Sequence, residues 1–538
     1  MRFAHPNSEL PSVSRIGKHF GASWPRLEMI DMARISGSAR TVSTLGFGRA
    51  DPLLLAGMLA LLFGTAIRFG IGHGRPLWID ETFTGAIAAQ VDLASLLRQL
   101  RADVNAPLYY VVMFLWSSVA GISNTALRLP SAIFGTVACL LIFRGGAGID
   151  RRVAMLWSGF VSLWMPGLLY GGEARCYALL LLASTATTLA FAGLLATPTR
   201  HRACIWAGFA AATILTHYFA LVLVVAQGAL FTIFHRRQAS TMLPAALPFL
   251  PAVAWTAYHG PRLAAFAQPD VAWYEPVRIA DLPSIWDYVL NSAGIVVLLV
   301  IAITVALSSR SPEQETTGSN RSSASPNAST MRAVFAASLI GALGMIALGM
   351  MRPSFVPRYL VPFVPGLLLG VALAANAADR VSAYAPVLVL VLFGLPLVRL
   401  ADLRGTSFNF ERASEALAAA DATRLVFLWD HPSSPVQDPG QMRAVGGFFL
   451  ARIGRPVDVV AVANAWRDDP EPALLAAAGS DPAAAILWVY DLSLPKTAAI
   501  AHAPRIARDP AWTCRDHGTA PFGALLCVRA RPDITPAG

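Results

Sequence analysis

Residues 203–235 read ACIWAGFAAATILTHYFALVLVVAQGALFTIFH, a stretch without a single Asp, Glu, Lys or Arg. A helix needs about 20 residues to cross the hydrocarbon core of a bilayer, so this run is too long for one crossing. Thr216-His217 interrupts it, and the run reads as a tight hairpin of two spans, 203–215 and 217–235. Outward from this hairpin, apolar runs recur near 52–72, 127–145, 153–171, 176–196, 243–259, 286–307, 333–351, 356–375 and 383–400, for eleven spans in all. The stretch 107–121 is apolar but short and begins at a Pro, which places it as an interfacial helix.

Composition agrees. Of 538 residues, 55% are hydrophobic and only 14% charged, whereas a soluble chain needs roughly a quarter charged to cover its surface. The net charge of +10 comes almost wholly from Arg. No long basic patch with interleaved aromatics accompanies it, so nucleic acid is excluded as a partner. With five Cys, the chain is no disulfide-rich scaffold. A polytopic α-helical membrane protein remains, with the lipid bilayer as its first partner.

Basic residues orient it. With residues 1–50 inside, the inner segments carry 18 Arg and Lys and the outer ones 8, the asymmetry expected of cytoplasmic loops. Residues 1–50 are polar, lack an early apolar core, and read as a disordered cytoplasmic tail rather than a signal peptide. Residues 308–332 form a low-complexity inner loop. An odd number of spans places residues 402–538 in the periplasm or its equivalent. There, Arg424–Trp429, Asp458–Ala463 and Ala485–Tyr490 are apolar runs of strand length, with helical stretches 441–453 and 471–479 between them. Such alternation predicts a soluble α/β layer with a parallel sheet, closed by a hairpin of Trp512–Cys514 and Leu525–Val528. The chain thus divides into the tail 1–50, a transmembrane part 51–401 with a first outer loop at 72–126, and a periplasmic α/β domain 402–538. Cys514 and Cys527 flank the hairpin in an oxidising compartment and are expected to form a disulfide.

Charged groups beside a membrane require a reason. Asp80-Glu81, Asp103 with Asn105, Arg128, Glu173 with Arg175 and Tyr177, His217-Tyr218 and Arg358-Tyr359 all fall on the outer side of this topology. Interfacial anchoring explains single Tyr, Trp or Arg residues. It explains adjacent carboxylates poorly.

The order Trp78-Ile79-Asp80-Glu81, Asp103-Val-Asn105-Ala-Pro107-Leu-Tyr109-Tyr110, Gly121, Ala126-Leu-Arg128-Leu-Pro130 resembles the first outer loop of polyprenyl-phosphate-sugar-dependent glycosyltransferases of the GT-C fold. The bacterial galacturonosyl and aminoarabinosyl transferases are of this kind, and the protein O-mannosyltransferases are more distant. Glu173-Ala-Arg175-Cys-Tyr177, Thr216-His217-Tyr218-Phe219 and Pro357-Arg358-Tyr359-Leu-Val-Pro362 resemble later landmarks of the same families. Relatives usually carry His-Pro-Pro-Leu-Tyr where this chain has Asn105-Ala106-Pro107-Leu108-Tyr109.

The resemblance implies an inverting transfer of a monosaccharide from a polyprenyl phosphate to a lipid, glycan or protein acceptor, at the outer side of the inner membrane. It assigns Asp80 as general base, with Glu81 as an orienting, acceptor-binding or ion-ligating partner. Arg175 and Arg358 become the holders of the leaving phosphate, Arg128 a third holder or a loop brace, and the other named residues substrate contacts. No obligatory metal is expected because the usual His is absent, although Asp80, Glu81 and Asp103 offer oxygens to Mg or Mn. The competing functions are a transporter or flippase of lipid-linked glycans and a non-catalytic binder of them. Transporters place charges near the bilayer midplane and carry internal repeats, and neither is visible here.

Overall fold

The computed structural model describes residues 51–146, 150–268, 271, 275–292, 328–353, 355–380, 382, 384–404, 410–420, 422–465, 468–491, 505–519 and 522–530. The expected tail 1–50 lies outside the described residues, as do the loop segment 308–327 and the part of the expected span 286–307 beyond 292.

Five described helices are long and apolar enough to cross a membrane: α1 (Pro52–Gly70), α5 (Asn124–Gly146), α8 (Tyr177–Ala196), α13 (Ala328–Met351) and the segment Pro357–Ala377. A sixth span is bent by 63° between α6 (Arg151–Leu163) and α7 (Met165–Gly171). Leu55, Leu59, Leu62 and Phe63 of α1 remain exposed, as expected of a face turned to lipid. The chain is thus a multi-pass membrane protein. Its apolar runs fall on helices, but breaks cut several of them short. The run at 243–259 is divided between a 3-10 segment, Ser240–Phe249, and α11 (Leu250–Phe266), because Pro244 and Pro248 deny the first part its amide donors. The long opening run breaks where read, with α9 (Arg200–Thr216) ending at extended His217 and α10 (Ala220–Phe234) starting three residues later.

The bend after α6 shows how such a break is satisfied. Pro166 has no N–H for Ser162 O, and Met165 N donates instead to Asn291 Oδ1 at 2.7 Å. The carbonyls of Val161 and Ser162 are left without helical donors. Arg68 of α1, 1% exposed, supplies them from Nη2 at 3.1 and 3.2 Å. Gly64 permits the approach, since a Cβ there would lie 2.3 Å from Ser162 Oγ. A buried charge is thus spent on orphaned backbone carbonyls, the kind of pairing that a guanidinium inside a bilayer requires.

Between α1 and α5 the chain forms α2 (Ile79–Ala88), α3 (Leu93–Ala102) and α4 (Leu108–Ala120). The C-terminal part carries α16 (Phe410–Ala419), β1 (Arg424–Asp430), α17 (Pro439–Arg452), β2 (Asp458–Ala461), α18 (Glu471–Ala478), β3 (Ala484–Asp491), β4 (Trp512–Asp516) and β5 (Phe522–Arg529). Strand order is β2-β1-β3-β5-β4. β1 runs parallel to β2 and β3, and β5 antiparallel to β3 and β4.

Cys514 and Cys527 stand opposite each other across β4 and β5 and are joined as a disulfide. Closing so short a loop contributes about 3 kcal/mol in the chain-entropy treatment. Cys514→Ser is expected to lower the unfolding temperature of the sheet, and peptide mapping without reductant should recover the linked pair.

The α/β layer is docked on the loop helices. Phe448 of α17 fills the space above Gly85 of α2, where a Cβ would lie 2.5 Å from its ring. Gln441 Nε2 donates to Asp103 Oδ2 at 3.1 Å, Arg452 Nη1 to Asn124 Oδ1 at 2.6 Å, and Arg262 Nη1 to Val436 O at 2.6 Å.

Candidate active site

Helix α2 begins with two carboxylates in its first turn, where the positive end of the helix dipole favours them. They lie about 100° apart around the axis and meet different surroundings. Glu81, 1% exposed, accepts Trp78 N at 3.2 Å and Ala174 N at 2.7 Å. It also takes Arg128 in a two-pronged pair, Nε at 2.7 Å and Nη2 at 2.5 Å. The remaining N–H groups of Arg128 go to Gly72 O, Arg75 O and Pro76 O at 2.7–2.8 Å. All five guanidinium donors are used. Arg128 therefore has nothing to offer a substrate phosphate: it is a brace that ties the loop entry to α2 and α5. The substrate-contact assignment for it is corrected on that ground.

Asp80 is the more open of the two, with its side chain 18% exposed. Its Oδ2 lies 3.1 Å from Arg175 Nη2, and Arg175 Nη1 donates to its main-chain oxygen at 3.3 Å. Arg175 Nε is buried and has no hydrogen-bond partner. Arg175 and Arg358 both lie over the Tyr177 ring, at 6.0 and 5.7 Å from its centroid. His217 packs on Tyr359 at 5.1 Å and faces Tyr177 at 6.1 Å. Asp80, Arg175, Tyr177, His217, Arg358 and Tyr359, drawn from four separate stretches, therefore form one cluster. A carboxylate that can take a proton sits beside two guanidinium groups that can hold an anion, over an aromatic floor.

Glu173 joins this cluster from the loop between α7 and α8. Burial pushes its carboxyl up to about 7, Glu81 adds to the rise, and Arg175, Arg358 and Arg75 oppose it. Its folded-state pKa thus lies above that of the unfolded chain, about 4.3. Between those values the folded state holds the proton more tightly, so stability falls as pH rises through this window. Glu173→Gln is expected to flatten that decline, read as unfolding temperature in detergent at pH 5 and pH 8.

The remaining expected residues sit apart. Asp103 Oδ1 accepts Asn105 N and Nδ2, both at 2.7 Å, and Asn105 Nδ2 also reaches Tyr110 OH at 3.1 Å. These bonds close the turn before α4. Tyr109 is 0% exposed within this loop. Tyr218 OH contacts His259 Nδ1 at 2.6 Å, while His259 Nε2 lies 2.8 Å from Asp103 O. His259 was missed because a lone His inside an apolar run carries no sequence signal.

Also missed was a contribution from the α/β layer. His431 follows β1 and stacks on Trp429 at 4.4 Å and 15°, and Trp429 meets the edge of Phe83 at 5.2 Å. Its place at the C-terminal end of a parallel strand, where such sheets put ligand-binding groups, was the available signal.

No cluster of three or more His, Cys, Asp or Glu fit to hold a metal occurs among the described residues. Glu81 is paired with Arg128, and Asp103 accepts from Asn105 and Gln441.

The fold is that of a solved GT-C membrane protein. The chain matches the crystal structure of ArnT from Cupriavidus metallidurans in the apo state with a TM-score of 0.53 at 13% identity, over 87% of this chain and 97% of that one. The same protein bound to undecaprenyl phosphate gives 0.49 at 12% identity, over 87% and 97%. An Archaeoglobus fulgidus oligosaccharyltransferase, in complex with Zn and sulfate, gives 0.47 at 12%, over 89% and 74%. No family model matches the sequence, and comparison with curated proteins returns no match.

Proposed function

We propose that the chain is an integral-membrane glycosyltransferase that moves a monosaccharide from a polyprenyl-phosphate donor to an envelope acceptor. The observation that carries this reading is the Asp80–Arg175 pair, set beside Arg358 over Tyr177 within a GT-C fold. The acceptor hydroxyl gives its proton to Asp80 as its oxygen attacks the anomeric carbon. The bond from that carbon to the phosphate oxygen breaks, and the electron pair leaves with polyprenyl phosphate. Arg175, through its spare Nε–H, and Arg358 hold the growing charge. A single displacement inverts the anomeric centre. Glu81 acts through its pair with Arg128, fixing α2 and hence the aim of Asp80.

In this reading the site faces the outer side of the inner membrane. Residues 1–50 form the cytoplasmic tail, 51–401 the catalytic membrane domain and 402–538 the periplasmic domain. A reporter fused after Gly538 should be active on the outer side. Turnover should survive chelation, since Asn105 stands where the resembling enzymes usually carry a His. Purified protein incubated with a lipid-phosphate sugar and an acceptor extract should release free polyprenyl phosphate. Movement of the intact lipid-linked sugar between leaflets without release would instead establish a transporter.

A further inference from the structure

We infer that the C-terminal α/β layer takes part in transfer through α2, with Trp429 and Phe448 as positioning residues that set the aim of Asp80. This rests on the glycosyltransferase reading above.

The start of α2 is fixed where Glu81 meets Arg128, Trp78 N and Ala174 N. One fixed point leaves a helix free to tilt and to turn about its axis. The turn matters, because neighbouring side chains differ by about 100° around the axis and Asp80 has to face Arg175, 3.1 Å away. What stops the turn lies further along. Phe83, 5% exposed, meets the Trp429 ring at 5.2 Å and 62°. Two residues later the ring of Phe448 occupies the dent left by Gly85. Positions 83 and 85 lie about 200° apart around the axis, so the α/β layer holds α2 from two nearly opposite sides.

Both jaws of this grip are backed. His431 stacks on Trp429 at 4.4 Å. Arg452, one turn after Phe448 on α17, lies over the Phe448 ring at 5.7 Å. It donates to Asn124 Oδ1 at the start of α5 at 2.6 Å and pairs with Glu411 of α16. The grip is therefore referred to a membrane-spanning helix and not to the α/β layer alone. Arg175 and Arg358, the phosphate holders of the proposed mechanism, do not belong to α2. A turn of α2 thus moves the base while the phosphate site stays in place. Misplacing a reacting group by about 1 Å can cost about 10²-fold in rate.

The test uses the full-length protein in detergent, with undecaprenyl phosphate for binding and a panel of its hexose, uronic acid and amino-pentose forms for turnover. Gly85→Ala places a Cβ 2.5 Å from the Phe448 ring, so ring and helix must part. Ala is also the better helix former, so α2 itself is not weakened. Turnover per folded molecule should fall about 10–100-fold, with undecaprenyl phosphate bound as by wild type. Phe448→Leu, which loosens the same jaw, should lose turnover in the same way. Gly85→Ala combined with Phe448→Leu refills the gap and should recover most of the loss, whereas two independent defects would add. Wild-type turnover in both folded single variants would overturn the inference, as would a double variant no better than the worse of them. Lipid-phosphate affinity falling as far as turnover would reduce the contact to packing and overturn it too. In each of these cases the transferase reading stands. If wild type releases undecaprenyl phosphate from no member of the panel, both fall together.

Discussion

Asp80→Asn folds, binds lipid phosphate at least as well as wild type, and loses a factor of about 10²–10⁴ in turnover, the usual contribution of a general base. The substitution keeps the size of the side chain and an oxygen for Arg175 Nη2, now 3.1 Å away. It removes only the capacity to take a proton. Because the anionic partner of Arg175 disappears, the phosphate of the donor meets a guanidinium with less competition, and donor affinity is expected to hold or rise. Turnover per folded molecule and lipid-phosphate affinity, measured on one sample, decide the matter. A folded Asp80→Asn protein that transfers sugar at the wild-type rate would remove Asp80 from the mechanism. Arg358→Ala should show a different profile, with donor affinity and the chemical step weakened together.

The second large effect concerns folding rather than chemistry. Arg128→Ala leaves Glu81 charged at 1% exposure and strips donors from three carbonyls at the loop entry. Removing one partner of a buried ion pair costs about 3–5 kcal/mol, enough to unseat α2 or to abolish recovery of folded protein. Glu81→Gln combined with Arg128→Met should restore much of the lost stability, since neither charge is then stranded. Thermal unfolding of the two single variants and the double variant closes the cycle. Additive losses would show that the pair is not the unit it appears in the structure. Arg175→Ala provides the contrast, with the fold retained and lipid-phosphate binding lost.

These two predictions concern neighbouring carboxylates, and they mark where the sequence stops being legible. That Trp78-Ile79-Asp80-Glu81 matters could be read from two adjacent acids beside a membrane span. Which acid reacts and which braces depends on the turn of α2 between them and on the carbonyls around Arg128, neither of which leaves a local trace. The three strands read as 424–429, 458–463 and 485–490 lie where β1, β2 and β3 are found, because continuous apolar runs of that length between helices have few other readings. Span lengths were less legible. Hydropathy sums over Pro244, Pro248 and Pro166 without registering the helix breaks they cause. His259 was invisible for a different reason. A single His has no periodic partner, and its surroundings are set by distant parts of the chain, as with Asp103, 156 residues before His259.

Arg68 has a bearing on biogenesis. The carbonyls it serves lie 93 and 94 residues later in the chain, so they do not yet exist when the first helix leaves the ribosome. Two residues from the helix end, the guanidinium can first reach up to the headgroups along its own methylene stem. Its backbone partners arrive only with the bent span. The docking of the first helix on the bent span therefore waits for carbonyls made later in synthesis.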